Sequence, residues 1–115
     1  MELNQAVQAL TALAQAHRLT VYRLLVQAGP AGKVAGEIAS ALGLPPATLS
    51  FHLKTLTHAG LIHPHPEGRH VRYTADFAAM HALIDYLSEN CCGDTRAACA
   101  PPAPQPPVTT TRSPT

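Results

Sequence analysis

The run PPATLSFHLKTLTHAG, residues 45–60, continued by LIHPHPEGRHVRY, residues 61–73, decides how this chain folds. Pro45-Pro46 opens a helix, because proline is tolerated in a first turn whose N–H groups have no intrahelical partner. Leu49, Leu53 and Leu56 recur at helical spacing and share one face, and Gly60 closes the helix. The period then changes. Leu61-Ile62-His63-Pro64-His65 and Arg69-His70-Val71-Arg72-Tyr73 are short extended runs on either side of Pro66-Glu67-Gly68. This pattern is a hairpin, and Pro64 and Pro66 confine its first strand to an edge.

Upstream, Leu3, Val7, Leu10 and Ala14 predict an amphipathic helix over roughly residues 3–15. A second helix is expected from about Arg18 to Ala28, with Leu19, Tyr22, Leu25 and Val26 inward and Gly29-Pro30 as its stop. Val34 to Leu42 predicts a third, burying Ile38 and Leu42 and ending at Gly43. Downstream, Asp76 is a good N-cap for a last helix reaching about Cys92, with the stripe Phe77, Met80, Ile84, Leu87 and Cys91.

Four helices, a two-stranded hairpin and a fifth helix make a mainly α chain with a small β element. A helix–turn–helix followed by a hairpin is a winged helix. In a helix–turn–helix the second helix enters the major groove and its N-terminal part meets base edges. With the leucines inward, Ala47, Thr48, Ser50, Phe51, Lys54 and Thr55 face outward. Thr48 and Ser50 suit hydrogen bonds to bases or phosphates, Ala47 and Phe51 a thymine methyl, and Lys54 a phosphate. Arg69 and Arg72 flank a turn suited to the backbone or minor groove. The long apolar stripes of the first and last helices suggest a homodimer joined through them.

Composition gives weaker guidance. The formal charge is +1, and residues 45–75 carry only Lys54, Glu67, Arg69 and Arg72 as charged side chains, beside five of the seven histidines. That segment is mildly basic, less so than a strong DNA-binding patch. No paired acid and base, phosphate loop or activated nucleophile emerges, which argues against an enzyme. The N-terminal MELNQAVQAL lacks a basic start and an apolar block, so a cytoplasmic protein with reduced thiols is expected. Residues 100–115 hold six prolines and almost nothing that packs. The expected organisation is a DNA-binding and dimerisation domain over 1–93, a loop over 94–99 and a disordered Pro-rich tail over 100–115.

All three cysteines, Cys91, Cys92 and Cys99, lie within nine residues. An odd count forbids complete internal pairing, and three soft donors suit a thiophilic ion. Structural zinc usually takes four ligands, one more than three thiols supply. Adjacent helical residues point ~100° apart, so Cys91 and Cys92 converge only where the helix ends, an ending Gly93 is suited to supply. Other readings are a buried Cys91, a redox sensor, zinc with a histidine, and histidine ligation among His58, His63, His65 and His70. A thiol protein without a DNA role competes from another class.

Ala16-His17-Arg18-Leu19, Leu42-Gly43-Leu44, Ser50-Phe51-His52-Leu53-Lys54-Thr55-Leu56, His58-Ala59-Gly60-Leu61 and Glu67-Gly68-Arg69 resemble the ArsR/SmtB family of metalloregulatory repressors. The resemblance covers about residues 5–92. It implies a homodimeric winged-helix repressor that binds operator DNA without its ion and releases it when the ion binds. The family's Cys-Val-Cys arsenic site has no counterpart in Lys33-Val34-Ala35-Gly36-Glu37. Its last-helix zinc pattern is not reproduced by Asp76, His81 and Asp85. Cys91, Cys92 and Cys99 resemble the subgroup with Cys-Cys and a third cysteine after the last helix. That likeness implies As(III) or Sb(III) as inducer, or a trivalent organoarsenical, with no permanently bound cofactor.

Overall fold

The computed structural model describes residues 1–91. Cys92, Cys99, the expected loop over 94–99 and the Pro-rich tail over 100–115 lie outside the described residues. The elements are α1 (Leu3–Leu13), α2 (Ala16–Ala28), a single 3-10 turn (Gly29–Ala31), β1 (Lys33–Val34), α3 (Ala35–Leu42), α4 (Pro46–His58), β2 (Ile62–Glu67), β3 (His70–Ala75) and α5 (Phe77–Ser88). This is a mainly helical winged helix–turn–helix with a small antiparallel wing.

The two glycine exits that frame α4 share one physical design. After α3, the Leu44 N–H reaches the Ala39 carbonyl at 3.1 Å, with Gly43 in the left-handed region at φ +65°. After α4, the Leu61 N–H reaches the Leu56 carbonyl at 3.1 Å and the Gly60 N–H reaches Thr57 at 3.0 Å, with Gly60 at φ +78°. Both satisfy carbonyls that a helix end would otherwise strand. Leu56 and Leu61 are fully buried, supplying the apolar contact that accompanies this motif.

The sheet order is β1-β3-β2, so β2 is an edge strand, as Pro64 and Pro66 require. Its register pairs Ile62 with Ala75 and Glu67 with His70, leaving Gly68-Arg69 as the hairpin tip. β1 was not expected from the sequence. It is two residues long, pairs Lys33 with Tyr73 and Val34 with Arg72, and takes Val34 out of the expected third helix. Gly32 makes this approach possible, since a Cβ there would collide with the Tyr73 carbonyl.

The core gathers Val21, Leu25, Ile38, Leu49, Leu56, Leu61 and Ile62, all fully buried. Several expected faces shift. In α1, Ala6, Ala9 and Ala12 are buried, while Leu3, Val7 and Leu10 are exposed, because small side chains let α1 lie close to its neighbours. In α2, Val21 takes the place expected of Leu19, which is exposed. Leu42 is only half-buried. In α5, Leu83 is the buried residue, and Ile84 and Leu87 face outward.

The last helix also ends earlier than expected. Glu89 turns extended, at ψ 131°, and Asn90 takes the left-handed conformation at φ 57°. Ser88 Oγ donates back to the Ile84 carbonyl at 2.9 Å. Asn90, and not Gly93, supplies the left-handed stop that asparagine tolerates better than most residues. Cys91 therefore stands beyond the helix, exposed and off the apolar stripe, which rules out the reading that buries it. No helix among the described residues is long and apolar enough to cross a membrane.

Candidate nucleic-acid interface

The outward face expected of α4 is present. Ala47, Thr48, Ser50, Phe51 and Lys54 are exposed, with Leu49 and Leu53 turned into the core on the opposite side. Phe51 is 63% exposed, so it covers no core. Thr48 makes no capping bond to the start of α4. Thr55 instead donates its hydroxyl to the Phe51 carbonyl at 3.1 Å, which spends its donor within the helix.

Two cavities flank this helix. One, of 330 Å³, lies between α3, the start of α4 and the wing, and is lined by Pro46, Ser50, Arg69 and His70 among others. It brings the N-terminal turn of the reading helix and the wing tip to one groove. The second, of 790 Å³, lies between α1, α4 and the wing, and Phe51 and Lys54 line it.

The two wing arginines part company. Arg69 is exposed at the tip. Arg72 Nε donates to both Glu67 carboxylate oxygens, at 3.2 and 3.0 Å, and its Nη1 donates to the Ala31 carbonyl at 3.2 Å. Its guanidinium braces the wing against the turn after α2. Such an exposed ion pair adds at most ~1 kcal/mol, and these contacts hold the Arg72 side chain in place beside the wing.

The wing histidines do not converge. His63 Nε2 pairs with Asp76 Oδ2 at 2.7 Å, and His65 Nε2 pairs with Thr74 Oγ1 at 2.9 Å. Asp76 Oδ1 also accepts the Ala79 N–H at 2.8 Å, capping α5 as its position predicts. That backbone bond, followed by the His63 interactions, holds the Asp76 carboxyl below its ordinary value against the opposing effect of burial. Among the described residues, no three His, Cys, Asp or Glu side chains gather as a metal cluster. Of the expected thiol ligands only Cys91 is among the described residues, free and exposed.

The sequence assigned no role to two further residues beside this face. His52, on α4, is buried among the core leucines, its ring 5.7 Å from those of His17 and Phe51. Its Nδ1 has no hydrogen-bond partner among the described residues. Burial, then the charges of Arg18 and His17, lowers its pKa from the ordinary imidazole value. Arg18, on α2, donates Nε to the Ala12 carbonyl at 2.6 Å and lines the larger cavity. The stripe Leu49, His52, Leu53, Leu56 could have revealed His52, because it completes the i, i+3, i+4, i+7 pattern. Arg18 stands in the Ala16-His17-Arg18-Leu19 motif, but its bond to Ala12 depends on how α1 folds back and no local pattern shows it.

Known proteins agree with this geometry. A family model described as a helix-turn-helix domain matches residues 13–65. HlyU from Vibrio cholerae N16961 is 33% identical, with 80% of this chain and 99% of that chain covered and a TM-score of 0.63. The homodimeric winged helix-turn-helix DNA-binding domain of Mb0332 from Mycobacterium bovis is 29% identical, covering 76% of this chain and 81% of that chain at a TM-score of 0.60. An ArsR-like transcriptional regulator from Rhodococcus sp. RHA1 shares the fold at a TM-score of 0.69, with 24% identity over 84% of this chain and 89% of that chain. No curated protein matches the chain.

Proposed function

The chain belongs to the ArsR family of DNA-binding winged helix–turn–helix transcriptional regulators, a non-enzymatic family, and from that premise we propose that it is an arsenic-responsive repressor. It binds operator DNA as a homodimer and releases it when As(III) or Sb(III) binds Cys91, Cys92 and Cys99. The observation that carries this reading is that all three cysteines fall, in sequence, within the eleven residues that follow Ser88, the last residue of α5. Cys91 fits the role of ligand, being free, exposed and past the helix end. Arsenous acid exchanging its three hydroxyls for three thiols forms three As–S bonds and releases three waters, a balance that three cysteines meet.

Dimerisation is supported by the apolar side chains α1 and α5 leave exposed, Leu3, Val7, Leu10, Ile84 and Leu87. α5 thus joins the dimer contact to the thiol segment. Ion binding beyond its end shifts one subunit's α4 relative to the other's. A dimer reads half-sites about one DNA turn apart, so a small rotation loses contacts at both.

The test is a gel-shift titration of the reduced full chain on a duplex selected from a random pool. Arsenite should weaken binding, and Cys92→Ser or Cys99→Ser should keep the DNA affinity while abolishing the response. Arsenite that leaves wild-type binding untouched would sink the mechanism. If Cys91→Ser still responds fully, two thiols suffice and a methylated arsenical with two open valences becomes the inducer. On the DNA side, Lys54→Gln should weaken binding to all sequences alike and lower the salt slope by about one.

A further inference from the structure

The 790 Å³ groove between α1, α4 and the wing has the dimensions of a small-molecule site, for which about 300–1,000 Å³ is usual. Its walls are apolar in large part, through Ala12, Ala59, Pro64, Tyr73 and the exposed ring of Phe51. Arg18 and Lys54 also line it, and no aspartate or glutamate among the described residues does. The Arg18 Nε bond to the Ala12 carbonyl fixes the guanidinium, leaving its terminal nitrogens unengaged by protein among the described residues.

We propose that this groove binds a small organic anion, a monocarboxylate with an aromatic or otherwise apolar body. The carboxylate pairs with Arg18 and Lys54, and the body covers Phe51, Pro64 and Tyr73. Arginine is suited to this, since its planar fork matches a carboxylate bidentately. The lowered pKa of His52, to which Arg18 contributes after burial, reflects the same positive field.

Two other occupants fit less well. A DNA phosphate would satisfy the cations and leave the apolar walls bare. A second copy of the chain is expected on a different flank of α1. Gln8 and Ala12, which line the groove, point ~100° or more away from the exposed apolar stripe of Leu3, Val7 and Leu10, and Thr11, one turn after Val7, marks the border between the two. Because Phe51 and Lys54 belong to both the groove and the DNA-facing surface, occupancy competes with operator binding. That consequence rests on the DNA reading; the site itself does not.

The test is calorimetric titration of the full-length reduced chain with 2-naphthoate, against neutral 2-naphthalenemethanol and inorganic phosphate as comparison probes. Saturable binding of one naphthoate per chain is expected, with both comparison probes weaker by roughly tenfold or more, the worth of one charge-assisted hydrogen bond. Thr11→Trp, which fills the groove, and Arg18→Gln should each weaken it by a similar factor. NMR of the wild type keeps the result independent of variant folding, because shifts should centre on Arg18, Phe51 and Tyr73. No saturable binding, shifts centred elsewhere, or phosphate binding as well as naphthoate would overturn the proposal. A gel shift then separates the two readings. Naphthoate that binds and lowers DNA affinity supports the competition, and naphthoate that binds while DNA affinity is unchanged refutes it.

Discussion

His52 puts a titratable ring inside α4, with one nitrogen unsatisfied among the described residues and Arg18 and His17 facing it from α2. Its folded pKa is lowered from an unfolded value of about 6.5, so above that pH both states are neutral and its contribution to stability is fully present. As pH falls below about 6.5, the unfolded chain takes a proton that the folded chain resists. Stability is then lost progressively until the folded pKa is passed. The wild-type melting temperature should therefore fall more steeply between pH 7.5 and 5.5 than that of His52→Gln, measured as a slope so that any constant effect of the substitution cancels. Equal slopes would show that the buried ring is not the group responsible. The outward residues of α4 were legible because the leucine period leaves them no other place. The different surroundings of Arg69 and Arg72 were not, since Arg72 is engaged by Ala31, far away in sequence.

Among the elements, helix ends show where local signals suffice. Gly43 and Gly60 were correctly expected to stop α3 and α4, and each does so through a left-handed residue followed by a buried or half-buried leucine. Gly93 was the wrong choice for α5 because Ser88-Glu89-Asn90 had already provided a stop. A helix ends at the first adequate signal, even when a stronger one follows. Two glycines offer a graded test. At Gly60 nothing lies within 4 Å of an added Cβ, so Gly60→Ala should cost only left-handed strain, about 1–2 kcal/mol. At Gly32 the same change adds a collision with the Tyr73 carbonyl, so Gly32→Ala should be clearly worse and should part β1 from β3. Thermal melts check the order, with ~4–8 °C expected per kcal/mol for a domain this size.

At the scale of the molecule, the single chain leaves Leu87 60% and Leu3 64% exposed while burying a stripe of alanines. Such faces belong against a partner, which connects folding to DNA reading. Leu87→Glu combined with Val7→Glu should yield a folded monomer by sedimentation, with operator binding lost because one half-site alone is held weakly. A dimer that survives both changes would place the interface elsewhere. The sequence by itself determined the order of the five helices and the hairpin, the edge position of β2, the cap on α5 and the outward face of α4. Each follows from periodicity, proline or a capping side chain acting within a few residues. Only the tertiary structure decided which flank of α1 meets the core, that Arg72 braces the wing, that β1 joins the sheet through Gly32, and that Arg18 and Phe51 share a groove. Those outcomes depend on segments brought together across tens of residues, and no local pattern encodes which long-range neighbour a side chain will meet.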